Sequence, residues 1–185
     1  MADRRSRMEP DLLDLYDRAS SWATGNVSGA AEKLDAKTPC DDWDVRTLLN
    51  HILETQRYFL SSARRKDASP PSPTPPATLS DDPVADFEAV RRDMLGAYAE
   101  PGAIDKTGPA LGVAFSDLLV HSWDVARATG QDETMPDGLA AAAYEMVHWK
   151  FTVEQRKGIF KPEVPIGDDA SPQDRLLAYT GRDPR

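Results

Sequence analysis

An all-α fold is the class this sequence predicts, and three observations carry the prediction. Apolar residues recur at three- and four-residue spacing through several long stretches. Pro, Gly and short polar residues sit where those stretches begin and end. No segment alternates apolar and polar residues over the length of a strand. The simplest architecture is a four- or five-helix bundle with one long crossover connection. A length of 185 residues suits a single domain, expected at 9–185 after a flexible tail at 1–8, able to bury a core without disulfides or a structural metal.

The first helix is expected from Glu9 to about Val27, with Leu12, Leu13, Leu15, Tyr16, Ala19 and Trp22 at helical spacing and Pro10 in its first turn. Gly25, Asn26 and Gly29 break the pattern, and Ala30 to Ala36 reads as a short helical turn. The second helix starts at Asp44, a candidate N-cap, and carries Leu48, Leu49, Ile52, Leu53 and Phe59 to about Arg65. The Pro-rich run 67–76 cannot continue a helix and reads as an extended crossover. Asp81-Asp82-Pro83 opens the third helix, which Pro101-Gly102 stops. The fourth helix runs from near Leu111 to Gly130. A fifth is expected from Met135-Pro136-Asp137 to Phe151, followed by an extended segment from Gly158 to Gly167. A short C-terminal extension helix has Ser171 as N-cap, Pro172 at its first position and Gly181 at its end.

Composition removes several function classes. Formal net charge is −9 and the isoelectric point about 4.8, so the basic footprint needed to bind a phosphate backbone is missing and no nucleic-acid partner is expected. No apolar run approaches the roughly 20 residues of a membrane span, and the basic start has no apolar segment after it, so neither a membrane anchor nor a secretory signal is expected. A single cysteine, Cys40, excludes an internal disulfide framework and fits a reducing cytoplasm.

The chemistry-bearing stretch is Asp117-Leu118-Leu119-Val120-His121-Ser122-Trp123-Asp124. Asp117 and His121 are four apart and share a helix face, one turn above the other. Buried there, they either hydrogen-bond each other and hold two helices in register or bind something together, because an unpaired buried carboxylate costs several kcal/mol by order of magnitude. Asp124, three residues beyond His121, could accept the proton of that imidazole, or could pair with Arg127 at the surface. His51 sits at the edge of the apolar face of the second helix. Trp43 and Trp123 could wall a site or simply fill core. His148 reads as structural or exposed, Cys40 as buried and inert, and Glu54 and Arg57 as solvated surface that could reach a ligand.

Two long motifs carry a resemblance. Thr38-Pro39-Cys40-Asp41-Asp42-Trp43-Asp44-Val45-Arg46-Thr47-Leu48-Leu49-Asn50-His51, and Asp117 through His121 to Gly130, resemble actinobacterial DinB-like proteins. They are most similar to the metal-binding domain of mycothiol-dependent maleylpyruvate isomerase and its small relatives, and the tail from Pro162 to Pro184 resembles the same subgroup. The resemblance implies an up-down-down-up four-helix bundle holding one divalent metal, with His51, Asp117 and His121 at the ligand positions. It departs from the isomerase at Asp117, where that enzyme has Glu and other DinB-like proteins have His; Asp is one methylene shorter.

Two imidazoles and a carboxylate leave a coordination position open, as catalytic zinc sites do, and suit zinc first, with nickel or iron as alternatives. The function implied is a mycothiol-dependent S-transferase or isomerase bringing a small-molecule thiol to a small electrophile. The alternatives are a non-catalytic metal-binding or stress-related module and a purely structural bundle, with a homodimer left open. The isomerase's separate C-terminal domain has no counterpart here, so a substrate other than maleylpyruvate is expected.

Overall fold

The computed structural model describes residues 11–148, 152–156 and 159–185. The tail expected at 1–8, the helix start placed at Glu9 and Pro10, and Phe151 and Gly158 lie outside the described residues. Every regular element among the described residues is helical, and one isolated bridge pairs Lys37 with Asp44.

Helix α1 spans Leu12–Ala30 and is capped by Asp11, whose side chain accepts from the Leu13 amide. It runs straight through Gly25, Asn26 and Gly29, contrary to the sequence expectation. The reason is tertiary: Asn26 is buried and its amide donates to Ser122 O at 3.2 Å, which holds the turn that local propensity would release. Gly29 leaves room for the Gln131 amide, since a Cβ there would fall 2.1 Å from Gln131 Oε1 and displace that side chain. Residues 31–36 form turns, not the helical turn expected.

Helix α2, Val45–Ala63, begins as expected, with Asp44 accepting from the Thr47 amide at 2.8 Å. Helix α3, Pro83–Tyr98, is capped by Asp82 with proline in its first turn. The short α4, Ala103–Thr107, lies between two positive-φ glycines, Gly102 and Gly108, and has no counterpart in the sequence reading. Helix α5, Ala110–Thr129, ends on Gly130 at φ 70°, the left-handed cap that glycine adopts without strain.

Side-chain bonds between helices fix their directions. Tyr16 reaches Gln56, Gln56 reaches Ala114 O, His51 lies against Asp117, and Asn26 reaches Ser122 O, so α1 and α5 run parallel while α2 runs against both. Thr24 bonds Glu88 and Arg91 bonds Ser20, so α3 opposes α1. The order is up, down, down, up, and the connection 64–82 must therefore climb the full length of α2. Its Pro-rich part is strapped there: Asn50 Oδ1 accepts from the Thr78 and Leu79 amides at 2.7 and 2.8 Å, Glu54 accepts from the Ser72 amide at 3.1 Å, and Arg57 donates to Thr78 at 3.0 Å. Glu54 and Arg57 therefore hold the crossover.

Helix α6, Leu139–His148, starts later than the sequence suggested, because Gly138 at φ 80° breaks the helical path before it; the Met135 amide upstream donates to Gln173 Oε1 at 2.8 Å. A single turn, α7, covers Val153–Arg156, and α8 covers Pro172–Tyr179 with Ser171 accepting from Asp174 N. His148 stacks on Tyr144 with ring centroids 4.8 Å apart, a structural placement. After α8 the chain turns at Gly181, φ 81°, where a Cβ would meet Lys161 Cβ at 2.4 Å and Lys161 O at 2.9 Å. No described helix is long and apolar enough to cross a membrane.

Candidate metal centre

The antiparallel crossing of α2 and α5 brings His51 against Asp117 and His121. Leu48, Ile52 and Leu53 on one helix and Leu118 and Leu119 on the other are all at most 2% exposed, so packing fixes both helices beside the three polar side chains. The rings of His51 and His121 meet edge to face with centroids 4.9 Å apart. Asp117 Oδ1 lies between them, 3.5 Å from His121 Nε2 and 3.8 Å from His51 Nε2.

Those distances decide between a structural pair and a ligand set. Both exceed a hydrogen bond to a ring N–H, so the protein alone does not satisfy the carboxylate. Asp117 Oδ2 and His51 Nδ1 are each buried without a partner. An ion 2.0–2.1 Å from tetrahedrally arranged N and O donors would space them about 3.3 Å apart. The observed spacings are close to that, and three donor atoms, one from each residue, lie within 4.8 Å of one another. The donor chemistry and the unsatisfied Asp117 carboxylate both fit a divalent metal held with the two Nε2 atoms; His51 Nδ1, on the far side of its ring, takes no part in that fit.

Carboxylate and imidazole each favour the other's charged form, so a metal binding here would displace a proton that Asp117 favours on His51. Burial pushes the Asp117 carboxyl up, but the His121 and His51 rings beside it outweigh that and hold it below the ordinary carboxylate range. For His51, burial pushes the pKa down and Asp117 more than reverses it. The cluster therefore keeps Asp117 as a carboxylate anion.

Behind His121 sits a second layer. Asp124 is completely buried, and its Oδ2 lies 2.9 Å from His121 Nδ1. Arg182 donates Nε to Oδ1 at 3.2 Å and Nη2 to Oδ2 at 2.7 Å. Burial pushes the Asp124 carboxyl up, but Arg182 and the His121 hydrogen bond hold it far below the usual range. An acceptor fixed in this way makes His121 Nδ1 the protonated nitrogen, so Nε2 carries the lone pair that faces Asp117. The surface pairing of Asp124 with Arg127 is not what forms: Arg127 bonds Glu133 at 2.7 Å and lies over the Trp123 ring.

Cys40 also touches this layer. Its Sγ lies 3.2 Å from Asp124 Oδ2 and 3.8 Å from His121 Nδ1. Burial first, then Asp124, pushes the thiol up to about 12, so Cys40 is a protonated donor and not a nucleophile.

Trp43 belongs to the site: its ring is 4.8 Å from His51 and it lines a cavity of about 620 Å³ onto which His51, Asp117 and His121 open. Val113, Val120, Val147, Ile159 and Phe160 give that cavity an apolar wall. Trp123 does not line it; at 1% exposure it is core, because its position on α5 faces away from His121 and into the bundle. Arg182 went unread, since nothing local links a C-terminal arginine to a helix 58 residues earlier. A second cavity, about 680 Å³ between α2, α3 and α4, is larger but has no histidine or cysteine on its described wall.

Comparison with known proteins gives two findings. Residues 18–126, more than half of the chain, match the family described as "Mycothiol maleylpyruvate isomerase N-terminal domain". Two Mycobacterium tuberculosis proteins, Rv0738 of strain ATCC 25618 / H37Rv and MT0763 of strain CDC 1551 / Oshkosh, both named as uncharacterised, are each 29% identical over 187 residues, covering 93% of this chain and 98% of theirs. No solved structure matches the chain.

Proposed function

The chain belongs to the mycothiol maleylpyruvate isomerase N-terminal domain family, and from that premise we propose that it binds one divalent metal through His51, Asp117 and His121 and uses the site to bring a low-molecular-weight thiol, such as mycothiol, to a small electrophile. The observation that carries this reading is the under-satisfied carboxylate: Asp117 Oδ1 lies between two imidazoles beyond hydrogen-bond distance and Oδ2 is buried and unpaired, on the wall of an apolar cavity.

A dication held there would supply Lewis acidity, lowering the pKa of a thiol or water at the position the three ligands leave open. Zinc suits the donor set best, and nickel and iron share it. The protein's own groups do the rest. Asp124 holds the His121 proton at Nδ1 and fixes the ring plane. Trp43 packs against His51 and, with the apolar wall, keeps bulk water from the reacting groups. In S-transfer, a carbon–sulfur bond forms as the electrophile's leaving group departs with the bonding pair, and the thiol proton passes to solvent. In isomerisation, addition and loss of the same thiol leave it unconsumed. The Asp at position 117 shortens one ligand by a methylene relative to glutamate, so the ion would sit closer to α5.

The test is elemental analysis of the protein as isolated, with His51→Ala and His121→Ala alongside, followed by thermal shift with mycothiol on metal-loaded protein. One metal per chain, lost in both variants, and a thiol-dependent rise in Tm are expected. Absence of stoichiometric metal, or metal content unchanged in both variants, would refute the site. Metal and thiol binding without turnover of any electrophile would leave a binding module.

A further inference from the structure

His121 belongs to two clusters at once. His51, Asp117 and His121 form one, and Cys40, His121 and Asp124 form another whose donor atoms also lie within 4.8 Å of one another. A single imidazole can offer one nitrogen to each side, so the fold must decide which side receives a lone pair and which a proton. The decision is made by a residue from the far end of the chain. Arg182 donates to both oxygens of Asp124, its Nη1 donates to Thr180 O at 2.9 Å, and its Nη2 lies 3.6 Å from Cys40 Sγ. Gly181, at a positive φ against Lys161, turns the tail back toward α5. The Arg182 side chain as a whole is only 12% exposed, and its orientation is fixed by the bonds to Asp124 and Thr180.

Two effects follow from that placement. Asp124, with one acceptor site on each oxygen used by Arg182 and its charge matched, stays ionised and accepts a hydrogen bond from His121 Nδ1–H through a remaining site. The corner between Cys40 and Asp124 already contains a cation, so a dication entering it meets like charge and an acceptor already in use.

We propose that Arg182 is a positioning residue of the metal centre: through Asp124 it commits His121 Nε2 to the His51–Asp117 side, and by occupying the Cys40–Asp124 corner it excludes the metal from the competing cluster. The inference rests on the metal reading above. It gives the C-terminal tail a role in metal selectivity, because the competing corner contains sulfur and the chosen one contains only N and O donors.

Cobalt(II) titration of the chelator-stripped full chain tests it, because a cobalt–thiolate bond adds near-ultraviolet charge-transfer absorption that N and O ligands do not. The native chain should bind one cobalt without that band. Arg182→Met should bind roughly 10- to 100-fold more weakly at the native site, the range typical for losing a residue that orients a ligand, and should acquire the band; Cys40→Ala added to it should remove the band. Arg182→Lys should fall between, without the band. Tail docking alone would lower thermal stability and leave affinity and spectrum alone. A folded Arg182→Met with native affinity and no band would overturn the proposal, as would the band in the native chain. If Arg182→Met does not fold, Arg182→Lys and Asp124→Asn carry the test, and native affinity in both would overturn it. A native chain that binds no cobalt would instead sink the metal reading, and this inference with it.

Discussion

Replacing Asp124 by Asn and Arg182 by Met, singly and together in metal-free protein, measures how far the buried pair holds the tail to the bundle. Asp124 is 0% exposed and Arg182 12% exposed, so neither charge can be rescued by water without local opening. Removing one partner of such a pair costs about 3–5 kcal/mol because the other charge stays buried and unmatched. Arg182→Met belongs at the upper end, since the Asp124 carboxylate is the more deeply buried group; Asp124→Asn belongs nearer 3 kcal/mol. In a domain of this size about 2–4 °C of Tm accompanies each kcal/mol, giving losses of about 6–20 °C. The double variant should lose about 2–3 kcal/mol less than the sum of the singles, the coupling expected of contacting charges. Urea melts at pH 7 read all four corners of the cycle. That pH is well placed: the depressed Asp124 carboxyl contributes stability above its unfolded value near 4, and loses it only as pH falls through the lower folded value. Single losses under about 1 kcal/mol, or additivity within about 0.5 kcal/mol, would refute the ion-pair account and leave apolar packing of the tail in its place.

Three further outcomes are expected. Tyr16→Phe leaves Gln56 Oε1 without its 2.9 Å donor and should cost about 1–3 kcal/mol; burial raises the Tyr16 phenol, so native stability from this group is intact below about pH 10 and falls as pH rises through the folded value, and an alkaline stability profile unchanged in the variant would contradict this. Asn50→Ala frees two crossover amides, so urea melts should show a loss of about 1–3 kcal/mol and trypsin should cut faster after Arg65 or Lys66; cleavage at the native rate would show that Asn50 does not hold the loop. Gly181→Ala forces a non-glycine into φ 81° against the Lys161 backbone and should cost about 1–3 kcal/mol by thermal melt; a neutral result would mean the tail has another path to Asp124.

The helix caps made much of this fold legible. Asp44, Asp82, Ser171 and Gly130 mark ends that the structure places within a residue or two of expectation, because a cap is a local bond between a side chain and its own backbone. Where the reading failed, a distant partner had overridden local preference. Asn26 keeps α1 helical through two glycines by bonding α5, and Met135 is tied to Gln173 of the C-terminal segment while Gly138, at φ 80°, sets the later start of α6. The site divides along the same line. Asp117, His121 and Asp124 share a helix face and are visible from spacing, and the resemblance supplied His51. Arg182 has no spacing relation to any of them. The one clue was physical: a carboxylate buried on an apolar helix demands a cation, and the chain supplies one just after a glycine that can turn the tail.

The layer behind His121 also bears on what the proposed centre can do. Its three ligands bring one negative charge, that of Asp117, against a dication, leaving about one positive charge. Had Asp124 stood behind His121 with its charge unmatched, the imidazole would have taken on imidazolate character and much of that residual charge would have been cancelled. Arg182 cancels the charge of Asp124 instead, so Asp124 orients the ring without neutralising the ion. A centre that keeps its positive charge stabilises an anion at its open position, which is the electrostatic requirement for activating a thiol at neutral pH. Burial and Asp124 both disfavour the Cys40 thiolate, so under the reading proposed above the activated sulfur is that of the small-molecule thiol and not of Cys40.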